Sequence, residues 1–330
     1  MSDDVMYASV VPCSRRDAPL RHEPVPRPVP GPDEVLVRVA AASLDRVDTY
    51  IRHGTHGMAA TEPQILGRDM AGVVSAVGAG VREFRVGDEV IALGRQTHAQ
   101  YALAPGLHTM PKPPQWSFAE AAALPTAGRT AYDAVVNIAR VRPGERVLVV
   151  AAGGAVGSFA LQFGAHLRAE VYATAGTEDK CATARAHGAH AAVNHYSPDM
   201  VEQVLAASGG AKMDVIVDPV GGALYESLLR LLARNGRIVT CGVTAGARAS
   251  LHLGRLMTQG WHIHGIGRPD RHEVAAHLRG CLDLMLAAGA KPIVDRVFPL
   301  SEAPDAHRYL EESSFFGRVV LTPEPARPPR

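Results

Sequence analysis

Ala152, Gly154 and Gly157 fall in the heptapeptide AAGGAVG, residues 151–157, directly after the apolar run RVLVV. The spacing is A-x-G-x-x-G at a strand-to-helix junction. A backbone without a side chain at Gly154 admits a pyrophosphate closely, and the unpaired amides of a helix N-terminus, from Ala155 and Val156 onward, meet its charge. Gly157 lets the helix pack tightly on its strand. The pattern reads as a dinucleotide-binding turn. A site for unphosphorylated ribose would need Asp or Glu about 20 residues later, at the end of the next strand. The chain has Ala173-Thr174-Ala175-Gly176-Thr177 there, with no acid before Glu178 and with Lys180 just beyond. A 2′-phosphate is favoured at that position, and with it NADPH.

The elements that would hold this turn follow from hydrophobic periodicity. From Arg146 onward RVLVVAA, EVYATA, HAAVN, MDVIVDPV and RIVTCG read as strands, alternating with VGSFALQFGAHL, EDKCATARAHG, PDMVEQVLAAS and GALYESLLRLLAR as helices. Such alternation predicts a parallel, doubly wound sheet with helices on both faces. The first third is different. After the proline-rich LRHEPVPRPVPGPD come EVLVRVAAAS, GVVSAVGAGV and GDEVIAL, short and turn-bounded, which predict a compact β unit. The stretch AEAAALPTAGRTAYDAVVNIAR is helical with a break at Pro125. The last segment supplies a helix around EVAAHLRGCLDLMLAAG and the strands VDRVFPL and GRVVLTP, which return to complete the β unit. The tail PEPARPPR is expected to lack structure.

Composition excludes several partners. The chain has 330 residues, enough for about two domains, and 34 Lys plus Arg balance 33 Asp plus Glu. Near-zero net charge gives no electrostatic case for nucleic acid or an anionic membrane. The apolar run Val147 to Gln162 is short for a membrane span and is interrupted by glycines. The start, MSDDVMYASV, lacks the regions of a signal peptide, so a cytoplasmic location is expected. Cys13, Cys181, Cys241 and Cys281 are too scattered for a disulfide framework or a four-cysteine zinc site. His262 and His264 would share one strand face, but a metal there would need further ligands.

Taken together, SLDRVDTYIRHG (43–54), LGRDMAGVV (66–74), GDEV (87–90), LPTAGRTAY (124–132), AAGGAVG (151–157), DPVGG (218–222), GRIV (236–239) and GRVVL (317–321) resemble the medium-chain dehydrogenase/reductase superfamily, in its zinc-independent quinone oxidoreductase branch. The resemblance runs nearly end to end. It implies a GroES-like β domain, residues 1–122 and 266–330, and a Rossmann domain, residues 123–265, with an active-site cleft between them. It also implies a homodimer. The positions that match the catalytic zinc ligands of the alcohol dehydrogenases are Asp45, Arg68 and Thr126. A guanidinium cannot ligate zinc and repels a dication, so no metal is expected.

Without a Lewis acid, hydride delivery to the β-carbon of a quinone or enone is the natural chemistry. By resemblance, Tyr50 lines the cleft and donates a hydrogen bond, while His56 stands where related enoyl reductases carry a tyrosine proton donor. Asp45 and Arg68 are expected to form an ion pair, either orienting a substrate oxygen or filling the vacated metal position. Thr130, Thr174, Tyr196, Gly221, Gly222, Cys241, Gly242 and Val243 are implied along the coenzyme, Tyr196 near the 2′-phosphate. Two other readings stay open: an enoyl or tailoring reductase of a biosynthetic intermediate, and an NADPH-binding protein without redox turnover.

Overall fold

The computed structural model describes residues 4–15, 18–312 and 315–323. The tail expected to lack structure lies outside these residues, apart from Pro323. By spatial grouping the chain forms two units. One runs through Thr126, takes Asp270–Arg279 and resumes at Lys291; the other comprises Ala127–Pro269 and Gly280–Ala290. The sequence placed the return to the first unit at residue 266. In the structure the helix Arg271–Ala287 is divided, and its second half groups with the other unit.

The chain opens with the strands Val5–Val11 (β1), Arg21–Pro26 (β2) and Glu34–Ser43 (β3), then the helix Arg46–His53 (α1). Next come Gln64–Ile65 (β4), Asp69–Val77 (β5), Glu89–Leu93 (β6), Tyr101–Pro105 (β7) and Thr109–Pro111 (β8), followed by the helix Phe118–Ala122 (α2). Pro125 then opens Pro125–Tyr132 (α3) as its first residue, where a missing amide costs nothing. The helical path continues as a π-type turn over Asp133–Ile138.

The second unit alternates as its periodicity predicts: Arg146–Val149 (β9), Ala155–His166 (α4), Glu170–Ala175 (β10), Glu178–Ala186 (α5), Ala191–Asn194 (β11), Met200–Ala207 (α6), Met213–Asp218 (β12), Leu224–Leu231 (α7), Leu232–Thr240 (β13), Leu253–Gln259 (α8) and His262–Gly265 (β14). The chain closes with Arg271–Ala287 (α9), Val294–Pro299 (β15), Ala303–Glu312 (α10) and Arg318–Thr322 (β16).

In the second unit the strand order is β11-β10-β9-β12-β13-β14, all pairs parallel. This is the doubly wound dinucleotide-binding order, in which the direction of growth reverses beside β9. After Arg146, strand β9 is apolar and buried throughout because helices cover both faces of such a sheet. Leu148, Ile216 and Ile238 pack with Tyr225, Leu228 and Leu229 of α7 in one of its cores.

In the first unit, β3 is the hub. It pairs antiparallel with β5, β7 and β16, so the first and last thirds of the sequence share one sheet. Val35, Val37 and Val39 alternate inward against Val74 and Val90. Gly317 precedes β16 with φ +100°, and a Cβ there would lie 2.3 Å from the carbonyl oxygen of Ile293. Both conditions exclude a side chain. Gly317→Ala should therefore destabilise the protein by about 1–3 kcal/mol, readable as a fall in the urea midpoint; an unchanged midpoint would show that the strand is not held there.

Candidate active site

In the first unit the functional residues gather around one buried guanidinium. Arg318 enters on β16, and its side chain is fully enclosed. Its two terminal nitrogens donate to Asp45 Oδ1 at 2.5 Å, to Asp69 Oδ2 at 3.0 Å and to Ser43 Oγ. Asp69 also accepts from the Thr126 amide, at 3.1 Å to each oxygen, and from the Thr126 hydroxyl at 2.5 Å. Burial pushes the Asp69 carboxyl up to about 7, the charge of Asp45 adds to this, and the Arg318 cation opposes it.

The expected Asp45–Arg68 pair is not formed. Arg68 is exposed, and among the described residues it has no ion-pair partner; only its carbonyl is engaged, by the amide of Gly94 at 2.7 Å. Successive residues of extended chain face opposite ways. Asp69 turns inward here, so Arg68 turns out. The cation that meets Asp45 lies 273 residues away and was not singled out from the sequence. Its only signal was the GRVVL motif itself.

Asp45 is the N-cap of α1, which the amide of Asp45 helps start by donating to Asp48 Oδ2 at 2.8 Å. Asp48 Oδ1 also accepts from the amide of Gly67 at 3.1 Å, tying the two motifs that flank the centre. Burial raises the Asp48 carboxyl as well. Tyr50 lies on α1, half-buried, and its ring stacks on His56 with centroids 3.8 Å apart. His56 is exposed, in a left-handed turn at φ +56°, with Nδ1 3.2 Å from the Thr55 hydroxyl. The structure thus joins Tyr50 with His56 and Asp45 with Asp69, and leaves Arg68 apart.

In the second unit the glycine turn has the form its spacing predicts. Gly154 is the N-cap of α4, and Ala155, Val156 and Gly157 form the helix's first turn. A Cβ on Gly157 would lie 2.3 Å from the Ala151 carbonyl oxygen, whereas one on Gly154 would meet only that oxygen, at 3.3 Å. Gly157 is needed for packing, and at Gly154 a side chain would be tight against that single oxygen. The Thr174 hydroxyl accepts from the Ala151 amide at 3.2 Å, and the Thr174 carbonyl accepts from the amide of Ala152 at 2.8 Å. Gly221 and Gly222 follow β12, where Asp218 Oδ1 takes the amides of Val220 and Gly221 at 2.9 and 3.0 Å. Cys241, Gly242 and Val243 follow β13, and burial pushes the Cys241 thiol above its ordinary range. Thr130 is half-buried on α3.

The end of β10 has the composition of an anion site. Thr177 caps α5, its hydroxyl accepting from the amide of Lys180 at 3.3 Å. Tyr196 is 79% exposed. Its neighbour His195, missed in the sequence, is half-buried, and both rings lie over Gly176. The first-turn amides of α4, without partners among the described residues, fit the pyrophosphate of a pyridine dinucleotide.

Residues 31–133 match the alcohol dehydrogenase GroES-like domain and residues 155–285 the zinc-binding dehydrogenase domain. The chain is 32% identical over 304 residues to pig quinone oxidoreductase, covering 89% of this chain and 90% of that one. It is 31% identical over 313 residues to the 2-haloacrylate reductase of a Burkholderia species, covering 89% and 92%. It is also 34% identical over 330 residues to a spectinabilin polyketide synthase protein of Streptomyces orinoci, covering 99% of this chain and 14% of that much longer one. A mycobacterial protein solved in complex with NADPH superposes with a TM-score of 0.86 at 27% identity, covering 96% and 100%. The fold is that of an NAD(P)H-dependent oxidoreductase, a GroES-like β unit with a Rossmann sheet. The chain belongs to the medium-chain dehydrogenase/reductase superfamily, in its quinone oxidoreductase-like branch.

The buried carboxyl at Asp69 has a consequence for stability. A carboxyl whose folded pKa is raised binds more protons folded than unfolded between about pH 4 and 7. Its contribution is therefore full below the unfolded value and is lost as pH rises through about 7. Relative to Asp69→Asn, which carries no such proton, the wild-type melting temperature should drop between about pH 4 and 7 and level off above that. A difference that is flat with pH would mean that Asp69 is ionised throughout.

Proposed function

We propose that the chain is a zinc-independent, NADPH-dependent reductase that delivers hydride to the β-carbon of a quinone or α,β-unsaturated carbonyl. The observation that carries this reading is the Arg318 guanidinium held between Asp45 and Asp69. It places a fixed positive charge against the residue that matches a zinc ligand, and Arg68 and Thr126 at the other matching positions add no anionic donor. A carbonyl there lacks the polarisation needed for reduction to an alcohol. A conjugated double bond needs less, because the electron pair displaced by hydride runs through to the carbonyl oxygen.

The coenzyme, when bound, supplies the hydride. The first-turn amides of α4 at Ala155, Val156 and Gly157 bind its pyrophosphate. Lys180 and His195 meet the 2′-phosphate. Tyr50 donates its hydroxyl hydrogen bond to the oxygen that gains charge, and His56, stacked on Tyr50 and open to solvent, returns a proton to the reduced product. With an enone that proton ends on the α-carbon; with a quinone it ends on oxygen, and enolisation of the remaining ketone, which moves a ring C–H proton to the second oxygen, completes the hydroquinone. Two relatives support the substrate class, one named for quinones and one for a haloacrylate. The polyketide synthase relative supports a second reading, in which the same chemistry acts on an enoyl intermediate of a biosynthetic sequence.

Loss of nicotinamide absorbance should be followed with NADPH and NADH, in chelator, against a simple quinone, an unsaturated ketone and an enoyl thioester. NADPH-preferring turnover that the chelator leaves intact is expected, and the ranking of electrophiles separates the two readings. Turnover that the chelator abolishes would overturn the metal-free mechanism. Tyr50→Phe keeps the ring and its stacking on His56 but loses the donor. It should lower kcat about 100-fold with little change in NADPH affinity, since an oxyanion donor acts mainly in the transition state; an unaltered kcat would remove Tyr50 from catalysis.

A further inference from the structure

Parallel pairing sets Asn194 of β11 beside Ala175 of β10, so the residues that follow each strand become neighbours. His195 donates its amide to the Ala175 carbonyl at 2.9 Å. Its imidazole Nε2 lies 3.4 Å from where a Cβ on Gly176 would stand, and the ring of Tyr196 lies 3.1 Å from the same point. The space over Gly176 is thus walled by two rings, 4.5 Å apart and nearly perpendicular. Nδ1 of His195 is buried with no partner, which leaves Nε2 as the nitrogen that faces outward. Lys180, on the first turn of α5, is close enough to act on the imidazole electrostatically.

The carboxylates of the surrounding elements are directed elsewhere or stand in solvent. On α5, Glu178 pairs with Arg185 at 2.7 Å and Asp179 is exposed. Before α6, Asp199 takes the Ser197 hydroxyl at 2.5 Å and Gln203 at 2.8 Å. The Cys181 thiol is buried. Around His195 the near charges are therefore cationic.

We propose that His195 makes the 2′-phosphate subsite proton-linked, so that the enzyme takes up a proton on Nε2 as NADPH binds and discriminates against NADH best in acid. This rests on the NADPH reading above and adds to it the residue and the proton that enforce the choice. In the free protein, burial first and then Lys180 hold the imidazole below its ordinary range, so it is neutral at pH 7. A phosphate dianion over Gly176 reverses that balance and draws a proton from solvent. The proton leaves again with the oxidised coenzyme. The sign follows: NADPH affinity is highest below the free imidazole's pKa and declines as pH rises through that of the complex. The total decline is about tenfold for each unit between the two.

Calorimetric titration of the full chain with NADPH and NADH, each in two buffers of different ionisation enthalpy, reads the proton directly. At pH 7.5 the coenzyme phosphate, whose second pKa is about 6, is already a dianion, so uptake belongs to the protein. Uptake with NADPH and none with NADH is expected. His195→Gln, confirmed as folded by its thermal melt, should abolish the uptake and flatten NADPH affinity between pH 6.5 and 9. Lys180→Met should weaken NADPH binding but retain uptake. Uptake that persists in His195→Gln, or tighter binding of NADPH than NADH with no uptake in the wild type, would overturn the proposal. NADPH binding no tighter than NADH at any pH would instead overturn the NADPH reading on which it rests.

Discussion

A fully buried guanidinium between two carboxylates is the constraint on which the first unit depends. Desolvating three charges costs several kcal/mol per ion before any attraction is counted. That cost is offset only if the hydrogen bonds are made, and Arg318 makes them to Asp45, Asp69 and Ser43. Each partner belongs to a different structural commitment. Ser43 ends β3, Asp45 starts α1, Asp69 starts β5, and through Asp69 the turn at Thr126 is bound as well. The last strand of the chain thereby fixes the start of the helix that carries Tyr50. Gly317 is required just before it, because the chain must turn through a left-handed conformation against Ile293 to aim Arg318 inward.

The same cluster sets what chemistry is open. Two carboxylates and one guanidinium leave one negative charge if both acids ionise, and burial of that charge is what raises Asp69. A bound dication would relieve the carboxylates but would face Arg318 at short range. The protein resolves this in favour of its own cation. The Tyr50–His56 stack, on and just after α1, sets a phenol hydroxyl beside a solvent-exposed imidazole.

How much of this was legible in the sequence depended on whether the information was local. Strand β10 was read as EVYATA and β3 as EVLVRVAAAS, the bounds observed, because alternation or continuous apolarity between turn residues is written in adjacent positions. The glycine turn was legible for the same reason. The helix α10 was missed, and α1 was seen as a motif without being assigned as a helix, since each is short and carries several charged residues. The Asp45–Arg68 pair was misread because proximity in a family's site was taken as proximity of side chains. Extended chain separates Arg68 from Asp69, and the true partner arrives from the other end of the sequence. Likewise Tyr196 was chosen by residue type and His195 was passed over, whereas the end of β11 brings both rings over Gly176.

The two units thus handle charge in opposite ways. In the first, charged groups are buried together and pair through Arg318, which fixes backbone. In the second, the first-turn amides on α4 have no partner among the described residues, and the His195 imidazole has one nitrogen outward. Partial charges of this kind bind an anion without a buried counterion that must first be displaced. In the first unit the Asp69 carboxyl is raised, and in the second the His195 imidazole is lowered. Both effects arise from burial, acting on an acid in one case and a base in the other, and so they move the two pKa values in opposite directions.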